Sequence, residues 1–260
     1  DVKYQGVAWY QREIAVPKSV TNRRVFLVFG AVDWQATVWL GGKQIAEHEG
    51  GYSPFEVEIT DLLKPGKKAL LTVRAYDVTD PETPTGKQTG WYTPSGGIWQ
   101  SVYLEYRGRT YLKKARIVPD IDNDKAMFDC EIECVLPGNY TVALQSTNGR
   151  DRLQKRQSVE CKTGLNKVQL VLPVPNATLW TPDSPILYET KLSLMRGTTA
   201  EDTVQTYFGM RKVSRGTYGG SPFEYILLNN KPIYLRGALH QSFNPEGLYT
   251  HPSDAFIRND

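Results

Sequence analysis

The stretch Val25-Phe26-Leu27-Val28-Phe29, closely followed by Ala36-Thr37-Val38-Trp39-Leu40-Gly41-Gly42, decides the fold of the first part of this chain. The first run is continuously apolar, as a strand buried on both faces requires. In the second, Ala36, Val38 and Leu40 alternate with Thr37 and Trp39. The two glycines that follow accept positive φ, which is the chemistry of a tight hairpin. The pattern continues outward. Gly50-Gly51-Tyr52-Ser53-Pro54-Phe55 reads as a turn into a strand carrying Val57 and Ile59, and Lys64-Pro65-Gly66-Lys67 as a turn before the alternating Leu71, Val73 and Ala75. Short strands, regular Gly and Pro punctuation and no helical periodicity predict a sandwich or jelly roll over residues 1–108.

Residues 78–97 break this rhythm. The segment from Asp80 to Tyr92 is long, irregular and rich in Gly and Pro. A loop of that length in a compact domain is functional or disordered. Lys87, Gln88, Trp91 and Tyr92 argue against disorder, because they supply donors and stacking faces. A ligand-facing role and a plug for the sandwich end fit Trp91 equally well. Gly96-Gly97-Ile98-Trp99 and a strand from Val102 to Tyr106 close the segment.

Strands recur across residues 109–213: Ala115 to Val118, Met127 to Leu136, Tyr140 to Gln145, Lys167 to Val171 and Thr190 to Leu194. Turns fall at Pro137-Gly138-Asn139 and Asn148-Gly149. About a hundred residues with this spacing predict a seven-strand, immunoglobulin-like sandwich. Leu179-Trp180-Thr181-Pro182 and Pro185-Ile186-Leu187-Tyr188 form a Pro-stiffened corner whose Trp and Tyr pack a seam between sheets or domains.

Residues 214–260 differ. Tyr225 to Leu228, a turn at Asn229-Asn230-Lys231-Pro232 and Ile233 to Leu235 predict a hairpin, its second strand running on into Gly237-Ala238-Leu239-His240. Pro252-Ser253-Asp254-Ala255-Phe256-Ile257-Arg258 carries a helix start, with Ser253 or Asp254 capping free N–H groups. Strand, loop and helix start are the opening of a β/α repeat, so the beginning of a truncated barrel is expected here. The residues after about Phe243, without barrel neighbours, are expected to be mobile or held by a neighbouring chain.

Composition narrows the function. Hydrophobic residues make up 40% of the 260 and charged residues 23%, ordinary for folded domains. Basic residues exceed acidic ones by 31 − 28 = 3, and the charges interleave. The basic face that a phosphate backbone needs is missing, so no nucleic-acid partner is expected. The one dense run, Arg150 to Arg156, contains Asp151 and reads as a solvated turn and strand edge. No apolar run approaches the roughly 18 residues of a membrane-spanning helix, and Asp-Val-Lys-Tyr at the start is no signal peptide. The 6 Trp and 15 Tyr suit core packing and stacking on flat, weakly polar ligands.

Phe128, Cys130, Ile132, Cys134 and Leu136 share one strand face, and Val159 and Cys161 share another. These cysteines read as small buried hydrophobes, with a cross-sheet disulfide to Cys161 as the other reading. A metal site would need nearby ligands that are missing, and no metal or cofactor is expected.

Several motifs then coincide in order. Gly6-Val7-Ala8-Trp9-Tyr10-Gln11-Arg12 with Pro17, Val38 to Lys43 through Glu47 to Phe55, and Gly97-Ile98-Trp99-Gln100-Ser101-Val102 resemble the sugar-binding domain of glycoside hydrolase family 2. Leu179-Trp180 with Pro185-Ile186-Leu187-Tyr188, and Phe208-Gly209-Met210-Arg211, resemble that family's immunoglobulin-like middle domain. The run from Leu228 to Gly237 resembles the opening of its catalytic (β/α)₈ barrel. The family includes β-galactosidases, β-glucuronidases and β-mannosidases. The resemblance therefore implies a jelly-roll domain (1–108), an immunoglobulin-like sandwich (109–213) and a truncated barrel start (214–260). It implies a secreted or periplasmic, β-galactosidase-like hydrolase of β-linked glycosides that works in full length by a retaining two-carboxylate mechanism.

Two departures stand out. Gly41 occupies a hairpin position where the family usually has Asn; both accept a left-handed backbone. After Arg236-Gly237 the common pattern is "V-N-R-H", whereas Ala238-Leu239-His240-Gln241 stands here, with His240 one position early.

The resemblance places both catalytic glutamates on later barrel strands that this chain does not contain. No catalytic residue is assigned, and the chain alone is expected to hydrolyse nothing. Its expected partners are a carbohydrate and its own barrel. The resemblance points to Lys87, Gln88, Trp91, His240 and Gln241 as substrate-binding candidates, through stacking on a pyranose face and donors to hydroxyls. Fixing an interdomain seam suits them equally. Glu47 and Glu49, flanking His48, read as solvent-facing strand charges. Asp33 reads as a turn residue, and Glu246 as a single carboxylate without a partner. A free-standing pair of carbohydrate-binding modules and an adhesive sandwich protein are the competing readings; neither needs the barrel-like tail.

Overall fold

The computed structural model describes residues 6–77, 96–240, 244–248 and 250–260. Lys87, Gln88, Trp91 and Gln241 lie outside the described residues. Contacts divide the chain into two units, Asp1–Arg107 with Ala238–Asp260, and Gly108–Gly237. The stretch 214–260, expected as a third segment, divides between them.

In the first unit the strands are β1 (Gly6–Ala15), β2 (Arg24–Phe29), β3 (Val32–Asp33), β4 (Gln35–Leu40), β5 (Lys43–Glu49), β6 (Phe55–Glu58), β7 (Lys68–Asp77), β8 (Gly97–Ile98) and β9 (Val102–Arg107). They form a β1-β7-β4-β5 sheet, a β6-β2-β9 sheet and a short β3-β8 pair. The period of 2 sends Ala36, Val38, Leu40, Leu71, Val73 and Ala75 inward, where they meet Val25, Leu27, Phe29 and Ile59 in one core. Gly41 (φ 57) and Gly42 (φ 82) close the β4-β5 hairpin, as their sequence predicts.

β2 is buried on both faces, by two different means. Val25, Leu27 and Phe29 enter the core. Phe26 points the other way, yet it is only 5% exposed. The guanidiniums of Arg24 and Arg107 lie 5.2 and 4.1 Å from its ring centroid. Glu58 anchors Arg24, and Glu56 with Glu105 anchors Arg107. Charged side chains thus roof an outward aromatic through cation–π contact and their apolar stems.

The second unit contains β10 (Thr110–Asp120), β11 (Lys125–Cys134), β12 (Gly138–Thr147), β13 (Arg152–Cys161), β14 (Gly164–Pro173), β15 (Tyr188–Arg196) and β16 (Thr199–Phe208). A β10-β11-β14 sheet faces a β13-β12-β15-β16 sheet, the seven-strand arrangement expected from the spacing. Phe128 meets Phe208 edge-on at 5.6 Å, and Tyr188 stacks on Phe208 at 5.2 Å. The buried Tyr188 hydroxyl accepts a hydrogen bond from the Thr178 amide at 3.1 Å. Cys130, Cys134 and Cys161 are buried and free. Burial pushes the Cys130 thiol up to about 11, and burial with the contact from Cys134 does the same for Cys161.

A smaller sheet, β17 (Val213–Thr217), β18 (Glu224–Leu228) and β19 (Lys231–Pro232), belongs to this unit. The Asn229 side chain fastens it, donating to the Trp180 carbonyl at 3.0 Å and accepting from the Lys212 amide at 3.1 Å. Asp122 adds an ion pair with Lys212 and accepts from Asn230 at 2.8 Å, and these contacts lower its pKa. The Trp180 corner therefore packs a seam inside this unit, with Arg211 4.6 Å over its ring.

The expected strand through Gly237 and His240 does not form. β19 ends at Pro232, and residues 233–240 carry no regular structure. A strand needs a lateral partner for its amides and carbonyls; the Ile233 amide still donates to the Ile226 carbonyl of β18 at 3.1 Å, but beyond it no described strand pairs with this segment. Its apolar side chains face solvent, with Tyr234 84% and Leu239 82% exposed. The helix start is present as α1 (Asp254–Asn259), and Ser253 rather than Asp254 caps it, accepting from the Phe256 amide at 3.1 Å.

Candidate functional site

Polar side chains gather at one end of the first unit. The β3-β8 pairing sets Asp33 opposite Gly97. Asp33 follows the apolar Ala31-Val32 inward and is itself only 7% exposed. Three glycines make room for the side chains at this end. A Cβ on Gly51 would run into the Asp33 carboxyl, one on Gly96 into that of Asp77, and one on Gly97 into the Tyr10 hydroxyl. Burial, with a smaller push from the Asp77 charge, raises the Asp33 pKa to about 6; burial also raises that of Asp77. Among the described residues no hydrogen bond reaches the Asp33 carboxyl.

The neighbouring turn is pinned from several sides. Trp99 Nε1 donates to the Gly51 carbonyl at 2.7 Å, and its ring meets Tyr52 edge-on at 5.7 Å. His48 stacks on Phe55 at 4.4 Å with its Nε2 3.2 Å from Ser53 Oγ, and Phe55 stacks on Phe29 at 4.6 Å. Thr250 Oγ1 donates to the Trp99 carbonyl at 2.8 Å and so brings in the loop that begins at Asn244. Asn244, 4% exposed, closes that loop by accepting from the Gly247 amide at 2.7 Å and donating to the Leu248 carbonyl at 3.0 Å. Glu246 rides on it, exposed.

Of the five candidates read from the sequence, His240 is the one described. Its Nε2 lies 2.8 Å from Asp260 Oδ2, and its ring is stacked 6.3 Å from that of His251, which packs on Phe256 at 5.5 Å. His240 is thus joined to His251 and Asp260. Glu47 and Glu49 are exposed strand charges as expected, holding Gln44 and Gln35 at 2.8 and 3.0 Å. Asp33 is no turn residue: it stands buried in a bridging strand. The sequence carried a signal, a carboxylate directly after the apolar Ala31-Val32. Asp77, at the end of an alternating strand, gave none.

This arrangement suits a polyhydroxylated ligand. Two carboxyls and a phenol offer acceptors and a donor, and the Trp99 indole, its N–H held by the Gly51 carbonyl, adds an apolar face, whereas the paired acids repel phosphate. Among the described residues no group of three or more His, Cys, Asp or Glu is placed to hold a metal ion, and no helix is long and apolar enough to cross a membrane.

Residues 2–107 match the family model for glycosyl hydrolases family 2, sugar binding domain, and residues 110–211 match that for glycosyl hydrolases family 2. The chain belongs to glycosyl hydrolase family 2. Among its relatives in this family, a β-galactosidase from Thermoanaerobacter pseudethanolicus is 26% identical over 251 residues, covering 92% of this chain and 32% of that protein. A putative β-glucuronidase from Formosa agariphila is 28% identical, covering 95% of this chain and 23% of that protein. The β-glucuronidase of Felis catus is 28% identical, covering 90% and 39%. This family 2 chain therefore spans about a third of the length of the curated relatives it matches. In fold it is similar to a β-glucuronidase from Bacteroides uniformis, with a TM-score of 0.81 at 24% identity, over 98% of this chain and 32% of that one. It is also similar to a family 2 member from Bacteroides cellulosilyticus, with a TM-score of 0.75 at 21% identity, over 90% and 32%.

Proposed function

We propose that this chain is the non-catalytic N-terminal part of a family 2 glycoside hydrolase that cleaves β-linked glycosides, β-galactosidase-like, by a retaining mechanism. The observation that carries this reading is the ordered match of both family models, on a chain about a third as long as its relatives. Retention needs two carboxyls roughly 5–5.5 Å apart across the scissile bond, one protonating the leaving oxygen and one attacking the anomeric carbon. In a barrel enzyme such groups sit at the C-terminal ends of strands, and this chain supplies none of those strands.

Its own contribution is recognition and support. His240 and Gln241, with Lys87, Gln88 and Trp91, offer sugar hydroxyls donors and a stacking face. The Asp33–Asp77 end of the first sandwich adds acceptors. The whole protein is secreted or periplasmic on this reading, which cell fractionation tests. The decisive experiment assays the longer protein and this chain, side by side, on aryl β-galactosides, β-glucuronides and β-mannosides. The longer protein turns over one of them and this chain none. Hydrolysis by the chain alone, or by neither, overturns the reading.

A further inference from the structure

The solvent face of the β1-β7-β4-β5 sheet carries a set of side chains that folding alone does not account for. The β1-β7 register sets Trp9 beside Arg74 and Gln11 beside Thr72. The β7-β4 register sets Thr72 beside Trp39 and Arg74 beside Thr37. The β4-β5 register continues to Glu47 and, next to Gln35, Glu49. Their strand neighbours Val73, Ala75, Val38 and Ala36 form the core, so all of these residues point the other way. Trp9 and Trp39 stand on strands separated by β7, yet their rings meet across it, with centroids 5.6 Å apart and planes at 31°. Trp9 remains 60% exposed. An indole left so open gives up much of what burial would contribute, and an apolar surface with a polar rim marks a binding face.

We propose that this sheet face is a carbohydrate-binding platform for a neutral β-linked oligosaccharide, with the touching indoles of Trp9 and Trp39 as its floor. It deepens the reading above by assigning polymer recognition to a surface of the first sandwich. The C–H face of a pyranose stacks on an indole, and its equatorial hydroxyls meet the rim. The rim is already oriented. Gln11 donates to Thr72 at 3.3 Å, Gln35 to Glu49 at 3.0 Å and Gln44 to Glu47 at 2.8 Å, while Arg74 lies 5.0 Å over Tyr76. Each amide keeps its carbonyl for a hydroxyl, and each carboxylate keeps lone pairs. Side chains held in place lose less entropy on binding. Charge selects the ligand: Glu47 and Glu49 outweigh Arg74, and Glu13 at the sheet edge is paired with Lys68 at 2.6 Å. The face therefore disfavours uronates and sulfates.

Affinity electrophoresis of this chain tests the platform in gels containing hydroxyethylcellulose, a β-1,3-glucan or a β-1,4-galactan, with alginate as the anionic control. Wild type is retarded in at least one neutral gel, with an apparent Kd on the order of 1 mM, and runs freely in alginate. Trp9→Ala weakens that retardation at least tenfold, and Trp9→Phe retains most of it. An unchanged melting temperature for Trp9→Ala ties the loss to the surface. Free migration of wild type in all three neutral gels, equal retardation of wild type and Trp9→Ala, or equal retardation in alginate overturns the proposal. Hydrolysis by the longer protein without retardation of this chain sinks the platform alone. Retardation without hydrolysis sinks the enzymatic reading alone.

Discussion

Asp77, at the end of β7, stands close enough to Asp33, on β3, for its charge to reinforce burial in lifting the Asp33 pKa from 3.8 to about 6. The fold thus holds two acids at one sandwich end, with glycines at 51 and 96 giving them room. Such a pair is costly to keep ionised, and perturbed carboxyls concentrate at functional sites.

The pair makes stability depend on pH in a definite direction. A folded pKa above the unfolded one means that the native state holds the proton more tightly. The benefit is complete below about pH 3.8 and is lost as pH rises through about 6. At 1.36 kcal/mol per unit, ionised Asp33 costs on the order of 2–3 kcal/mol above that window. Asp33→Asn is expected to melt several degrees higher than wild type at pH 8, with the gap closing toward pH 4. Equal melting curves at pH 8 would contradict this assignment.

Gly108 has backbone on two sides. An added Cβ would lie 2.6 Å from the Glu201 carbonyl oxygen and 2.8 Å from that of Thr110. Main chain cannot swing aside as a side chain does, so Gly108→Ala is expected to destabilise the second sandwich by about 1–3 kcal/mol. Urea unfolding followed by tryptophan fluorescence reads the shift in midpoint.

Tyr188→Phe removes a hydroxyl from a fully buried ring without changing its stacking on Phe208. The Thr178 amide then loses its acceptor. The bond is only part-buried, so its loss is expected to cost about 0.5–1.5 kcal/mol, and a loss of that size in denaturant titration is the expected outcome. A variant as stable as wild type would mean that water replaces the phenol.

The thiols of Cys130 and Cys161 are both buried and raised to about 11, so little thiolate exists at neutral pH. Reaction with a disulfide reagent at pH 8 is expected to be at least a hundredfold slower in the native protein than in guanidinium. Rapid native labelling of either cysteine, located by mass spectrometry, would argue against this packing.

α1 buries no residue. A helix this short is marginal in water, and its amides are expected to exchange within the fastest class, well before those of β11 or β12. Slow exchange at Phe256 and Ile257 in the isolated chain would show that a partner surface holds the helix.

Much of the framework is legible in the residues alone. The alternation at Ala36, Val38 and Leu40, the Gly41-Gly42 turn and the apolar run at Val25–Phe29 mark strands in their observed places, because period and turn chemistry are local properties. The same alternation buries Phe128, Cys130, Ile132 and Cys134 as expected. Expectation and fold part where an element depends on remote partners. Tyr234 to His240 continues a strand-like composition past the last bond to β18, at Ile233, but has no described strand to pair with. Asp33 sits beside a turn in sequence yet is buried by segments from residues 51 and 97.

The sequence by itself determined two successive all-β domains, their strand faces and the family they belong to, since side-chain period and ordered motifs are written along the chain. Only the tertiary structure decided which residues meet: Asp33 with Asp77, Arg24 and Arg107 over Phe26, and Trp9 with Trp39 across β7. Each of these depends on strand order and register, and register is set by the packing of whole sheets rather than by any one strand.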